Sequence, residues 1–325
     1  MFSSSKILEV SNLYVQYLTL QGIVKAVDGV SFSVGWGESF AIVGESGSGK
    51  STLAFSVIRL LPENSRIVNG KILLYPENID LVKLPEEEMR KIRGRRIGMI
   101  FQDPMTFLNP VMRIGDQIAE AIIYHQKCSP TEAKRKAVKL LEKLRIPDAS
   151  DVVNRYPHQL SGGMKQRVVI AMAISCNPQL LIADEPTTAL DVTVQAEVLE
   201  LLKNLINEYN MSLILVTHDL GIVAEICDRV AIMYAGKIME IGDVYRLYKN
   251  PKHPYTIGLL NAVPTIYKSK NEIAGIKGSP PNLINPPIGC RFHPRCPYVF
   301  DKCKIYEPPL IEISKSNYVA CWLVG

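Results

Sequence analysis

The octapeptide Gly44-Glu45-Ser46-Gly47-Ser48-Gly49-Lys50-Ser51 constrains this chain more than any other segment. It fits the pattern G-x-x-x-x-G-K-[ST], follows directly on the apolar run Phe40–Val43, and leads into a helical pattern over Lys50–Leu61. A strand, a glycine-rich turn and a helix in that order predict a phosphate cradle. The glycines let the backbone wrap closely, and successive N–H groups and the helix N-terminus supply positive potential. Lys50 would reach the β- and γ-phosphates and the Ser51 hydroxyl would ligate Mg²⁺. A bare βα turn needs neither the lysine nor the hydroxyl. Gly44, Ser46, Gly47, Gly49, Lys50, Ser51 and Thr52 are therefore the candidate nucleotide-binding residues.

Two more short apolar runs, Leu180–Ala183 and Leu213–Val216, are bounded by polar residues and turn formers. Continuous apolarity rather than alternation is the mark of parallel strands covered on both faces, and helical patterns follow at Gly163–Cys176 and Val194–Tyr209. An α/β fold with functional residues at the carboxyl ends of its strands is the expectation. Asp184 and Glu185 stand at one such end. Asp184 is suited to Mg²⁺ and Glu185 to polarising an attacking water, a reading that the phosphate loop upstream supports. Amphipathic patterns at Ile114–His125 and Pro130–Leu144 predict a helical insertion in the core. Beyond about residue 250, Pro251, Pro254, Pro264, Pro280, Pro281, Pro286 and Pro287 interrupt any long element and predict a separate C-terminal region.

Charge and hydropathy narrow the function classes. The balance of 37 Lys+Arg against 32 Asp+Glu is only mildly basic and spread along the chain, which argues against a nucleic-acid partner. No apolar run approaches the ~18 residues of a membrane helix, and Met1 to Val10 lacks the apolar stretch of a secretory signal. A cytoplasmic location is expected, where cysteines read as buried thiols or metal ligands rather than disulfides.

Leu160-Ser161-Gly162-Gly163-Met164-Lys165-Gln166 resembles the LSGGQ signature of ABC ATPases. A serine hydroxyl and two glycine amides at a helix start form a second anion cradle, although Ser161 also suits a plain N-cap. Met164 departs from the usual glutamine at the fifth position, while Ser161, Gly162 and Gly163 are retained. Other landmarks of that family follow in order: Gln102 after the Ile97–Phe101 run as the Q-loop, Ala189-Leu190-Asp191 as the D-loop, and His218 as the switch histidine. The resemblance spans most of residues 7–245. It implies a P-loop NTPase of the ABC ATPase type, with a RecA-like core, an antiparallel β subdomain and a helical subdomain at about residues 103–176. Residues 1–249 would form this nucleotide-binding domain. It also implies catalytic roles for Glu185, His218 and Gln102, with Gln102 joining Ser51 and Asp184 around Mg²⁺. Ser161, Gly162, Gly163 and Asp191 would contribute to ATP binding in a head-to-tail sandwich with a second ATPase subunit. The family stacks adenine on an aromatic near the N-terminus. Tyr17 is assigned here, with Tyr14 its neighbour, and core packing is the competing use of such a ring.

Cys290, Cys296, Cys303 and Cys321 fall in the last 36 residues with spacing C-x5-C-x6-C-x17-C. A soft four-thiolate site, two disulfides or packed free thiols each accommodate that pattern, and the C-x2–4-C pairs usual for zinc are absent. The segments Asn250-Pro251-Lys252-His253-Pro254-Tyr255-Thr256 and Cys290-Arg291-Phe292-His293-Pro294-Arg295-Cys296-Pro297 resemble the C-terminal extension of dipeptide/oligopeptide ATP-binding subunits. That resemblance implies a cysteine-rich extension over residues 250–325 holding a [4Fe–4S] cluster on the four cysteines. It further implies two membrane permease subunits, an extracytoplasmic substrate-binding protein, and a place at the cytoplasmic face of the membrane. Peptides are the implied cargo, with nickel and oligosaccharides as alternatives. A soluble ABC ATPase of DNA repair or translation fits less well, because the chain has neither a long coiled-coil insertion nor a second cassette.

Overall fold

A computed structural model describes residues 6–188, 190–263 and 275–324. Of the residues singled out above, Met1 to Ser5, Ala189 and Pro264 lie outside these. The chain forms two compact units, one of Met1–Lys83 with Leu215–Gly325 and one of Leu84–Ile214.

The first unit opens with two long antiparallel strands, β1 (Lys6–Thr19) and β2 (Gly22–Gly35), joined by the two-residue turn Leu20-Gln21. Their inward residues Leu8, Val10, Leu13, Val15, Val27, Val30 and Val34 are buried. After β3 (Ser39–Val43), the phosphate loop leads into α1 (Lys50–Val57), and β4 (Ser65–Leu74) and β5 (Ile79–Asp80) extend the antiparallel sheet in the order β2-β1-β4-β5. All five residues of β3 are buried, as continuous apolarity predicts for a strand covered on both faces.

The second unit begins with α2 (Glu86–Ile92), β6 (Ile97–Ile100) and α3 (Pro104–Phe107), and continues through α4 (Ile114–Gln126), α5 (Pro130–Lys143), α6 (Ala149–Val152) and α7 (Gly162–Ile174). The α5 start carries a full set of signals: Ser129 accepts from the Glu132 N–H, Pro130 occupies the first turn, and Glu132 faces the positive end of the helix. β7 (Leu180–Asp184) runs parallel to β6, and α8 (Val192–Glu208) follows, capped by Asp191.

The chain returns to the first unit within β8 (Ser212–Thr217), which α9 (Leu220–Ile226) follows. β9 (Arg229–Tyr234) pairs parallel with β3 and antiparallel with β10 (Lys237–Asp243). Short helices α10 (Val244–Lys249), α11 (Pro254–Ala262) and α12 (Asp301–Ile305) lead to the hairpin β11 (Ile311–Ser314) and β12 (Asn317–Val319). β12 pairs with β10 through Glu240 and Val319, so the last residues continue the sheet that carries β3. Tyr234, Tyr255 and Phe292, each fully buried, pack with ring centroids 4.6 to 5.3 Å apart and join β9, α11 and the cysteine segment in one aromatic core.

Candidate nucleotide site

The phosphate loop takes a backbone course that its glycines make possible. Gly49 has φ 101, and a Cβ there would lie 2.1 Å from the Ala26 carbonyl oxygen. Gly47 has φ 76 with nothing within 4 Å of a notional Cβ, so its rim stays open. Ser46 and Gly47 are exposed, whereas Lys50 is 5% exposed. The Lys50 ammonium donates to the Gly44 carbonyl at 2.8 Å and the Glu45 carbonyl at 3.0 Å, which folds it across the loop. Gly49 at the N-cap of α1 offers no side-chain cap, so the start of this helix is suited to an anion. Tyr17 Oη lies 2.9 Å from Thr52 Oγ1, which puts this ring beside the first turn of α1. His218, exposed, follows β8, and Asp219 next to it caps α9.

In the second unit the parallel register explains how two residues far apart in sequence meet. Ile100 pairs with Ala183, so Gln102 and Glu185 emerge two positions later at the same end of β6 and β7. Gln102 Nε2 donates to Glu185 Oε2 at 3.1 Å, and Thr188 Oγ1 donates to the same oxygen at 2.9 Å. Glu185 has φ 45, a left-handed backbone that costs a non-glycine residue about 1–2 kcal/mol and re-aims the chain after the strand. Asp184, the last residue of β7, is 1% exposed. Thr188 is a neighbour of Glu185 that the sequence did not mark, because only the turn after β7 brings it back.

Ser161 caps α7, accepting from the Met164 N–H at 3.3 Å, and Gly162 and Gly163 are the first residues of that helix. The hydroxyl thus serves as an N-cap in this structure, on a helix start whose Ser161 and Gly162 are exposed. Gln166, 1% exposed, donates to the Pro186 carbonyl at 2.6 Å and ties α7 to the loop that carries Glu185. Asp191 accepts from the Val194 N–H at 3.0 Å.

The four C-terminal cysteines border one small cavity with His253, Phe292 and Trp322. All seven cysteines of the chain are free thiols, which removes the disulfide alternative. Among the described residues no group of three or more His, Cys, Asp or Glu side chains is placed to hold a metal ion, so the four thiols line the cavity without forming a ligand set. Burial, and then the neighbouring cysteines, push the Cys290 thiol up to about 11. His253 Nδ1 accepts from the Tyr255 N–H, which leaves the proton on Nε2, and that buried atom has no partner. Burial holds His253 neutral, down to about 3. A donor without an acceptor, beside a cavity ringed by four thiols, fits a group that brings soft anionic acceptors.

Known proteins align with this arrangement along nearly its whole length. The chain is 50% identical to the dipeptide transport ATP-binding protein DppD of Bacillus subtilis, over 98% of this chain and 95% of that one. It is 48% identical to the oligopeptide transport ATP-binding protein OppD of Salmonella typhimurium, over 97% and 93% respectively. This chain is a dipeptide/oligopeptide-type ABC ATPase. The family described as "ABC transporter" matches residues 27–188, and that described as "Oligopeptide/dipeptide transporter, C-terminal region" matches residues 239–303. Among solved structures, the dimeric post-hydrolysis state of the ATP-binding cassette MJ0796 bound to ADP and Pi is 29% identical with a TM-score of 0.65, covering 73% of this chain and 98% of that one. The ABC ATPase cassette read from the signature and the phosphate loop is therefore the fold of this chain. Among the described residues no helix is long and apolar enough to cross a membrane.

Proposed function

We propose that this chain is the subunit that binds and hydrolyses ATP to drive uptake of di- and oligopeptides through two membrane permease subunits. The near-full-length likeness to dipeptide and oligopeptide transport ATP-binding proteins carries this reading. On this view residues 1–249 form the cassette, residues 103–176 its helical subdomain, and residues 250–325 a cysteine-rich extension. The chain sits at the cytoplasmic face of the membrane, and a substrate-binding protein delivers peptide from the other side.

Lys50 would neutralise the β- and γ-phosphates, Ser51, Gln102 and Asp184 would hold Mg²⁺, and Tyr17 would take the adenine. Glu185 accepts a proton from the attacking water, a role suited to a half-buried carboxylate steadied by Gln102 and Thr188. His218 approaches the γ-phosphate. Ser161, Gly162, Gly163 and Asp191 complete the site of the second ATPase subunit, because a head-to-tail pair places one signature over the other's phosphate loop. Mg²⁺, when bound, supplies charge neutralisation at the transferring phosphoryl group. Cys290, Cys296, Cys303 and Cys321 would hold a [4Fe–4S] cluster, with His253 Nε2–H as a donor toward it. Hydrolysis of ATP needs no electron, so this group is structural or regulatory.

A titration with labelled Mg-ATP tests the nucleotide assignment. Lys50→Ala should remove measurable affinity, since the phosphates would lose the loop's own cation. Unchanged affinity would show that Gly44–Ser51 is not the phosphate site.

A further inference from the structure

Glu45, the second residue of the phosphate loop, is gripped by residues from the far end of the chain. Arg295 Nη1 donates to Glu45 Oε2 at 2.6 Å and Arg295 Nη2 to Glu45 Oε1 at 3.0 Å, a two-pronged ion pair across 250 residues. The Arg295 side chain is 5% exposed. Its remaining donors are used as well: Nε reaches the Lys277 carbonyl at 3.0 Å, Nη2 the Ile276 carbonyl at 3.3 Å, and Nη1 the Tyr234 hydroxyl at 3.3 Å. The guanidinium also lies over the rings of Tyr234 and Phe292. A planar fork fixed on all sides holds its carboxylate in one place.

The backbone of Glu45 is held from the same side. Its N–H donates to the hydroxyl of Tyr255 at 3.0 Å, and Tyr255 is fully buried. The Glu45 carbonyl accepts from Lys50 Nζ. A continuous set of bonds thus runs from Arg295, the residue before Cys296, through Glu45 to the phosphate-binding lysine.

A carboxylate in a loop that receives a polyphosphate is an electrostatic liability. We propose that Arg295 is a positioning residue for ATP binding: it cancels the Glu45 charge and fixes the loop, so that the C-terminal cysteine segment sets the nucleotide affinity of the cassette. The inference rests on the reading of Gly44–Ser51 as the phosphate site. With Arg295 removed, the Glu45 carboxylate faces the phosphates uncompensated. One such charge several ångström away, at an effective dielectric of about 20, corresponds to about 10- to 100-fold weaker binding.

The experiment is a double-mutant cycle in the full-length chain, read as the Kd for labelled Mg-ATP. Arg295→Gln should raise Kd by about 10- to 100-fold. Arg295→Lys should recover part of that loss. Glu45→Gln alone leaves the Arg295 charge unopposed and should lower Kd, and Arg295→Gln with Glu45→Gln should return it to within about threefold of wild type, since the repelling charge is gone. A merely structural Arg295 would not be rescued by a second loss in the same contact. Arg295→Gln binding ATP as wild type does, or a double variant as weak as Arg295→Gln, would overturn the proposal. Failure of the wild-type chain itself to bind Mg-ATP would instead refute the nucleotide reading, so the two failures are distinct.

Discussion

Replacing Glu185 by glutamine should separate nucleotide binding from chemistry, and the structure sets the size of each effect. Glu185 Oε2 accepts from Gln102 at 3.1 Å and from Thr188 at 2.9 Å. A glutamine carbonyl oxygen in the same place accepts both, so the substitution changes two charge-assisted bonds into neutral ones. That costs about 1 kcal/mol per bond at most, and less at a half-buried side chain. Phosphates and Mg²⁺ are assigned to Lys50, Ser51 and Asp184, which the substitution leaves in place. What the amide cannot do is take a proton from water. Loss of a positioned base costs about 10²- to 10⁴-fold in rate, or about 2.7–5.4 kcal/mol of barrier. Phosphate release and labelled-ATP binding, measured on the same preparation with its partner subunits, give the two numbers side by side. Binding within a fewfold of wild type with hydrolysis down at least ~100-fold is the expected result. Hydrolysis within tenfold of wild type would refute Glu185 as the catalytic carboxylate.

Two further outcomes follow from the same assignments. In the Glu185→Gln background Mg-ATP should hold a closed pair of ATPase subunits visible by size-exclusion chromatography, and Ser161→Trp should abolish that pair by filling the exposed start of α7; a pair that forms without ATP would contradict the composite site. Anaerobically purified protein should be brown, with iron and acid-labile sulfide in near-equal amounts, and Cys296→Ser should bleach it; stoichiometric zinc, or a colourless and metal-free protein, would remove the cluster assignment.

The strands that anchor the site were legible in the sequence for a physical reason. β3, β7 and β8 are buried on both faces, so they read as short unbroken apolar runs, and the structure extends each by only a residue or two. Helices α4, α5, α7 and α8 were legible as helical patterns, whereas the caps Ser129 and Asp191 that begin α5 and α8 emerge only in the structure. β1 and β2 did not, because register shifts along their pairing, as between Val10 and Leu13, break the alternation that marks an amphipathic strand. Glu185, the proposed catalytic carboxylate, stands out in the sequence by its place after an apolar run, whereas Thr188 depends on the left-handed turn at Glu185, which no residue pattern declares. The cysteine count pointed to a four-thiol site, yet only folding places those thiols around one cavity with His253. The Arg295–Glu45 pair was invisible for a related reason: a salt bridge spanning 250 residues leaves no local trace, and the aromatic core that positions Arg295 is itself assembled from three distant segments.

Peptide uptake measured in cells tests the central claim most directly. In a host whose own copy of this subunit has been replaced, with its permease and binding-protein partners left intact, accumulation of a radiolabelled di- or oligopeptide should be restored by the wild-type chain. Neither Lys50→Ala nor Glu185→Gln should restore it, although both accumulate as folded protein. Restoration by Glu185→Gln equal to wild type, or peptide uptake indifferent to the presence of the chain, would contradict the account.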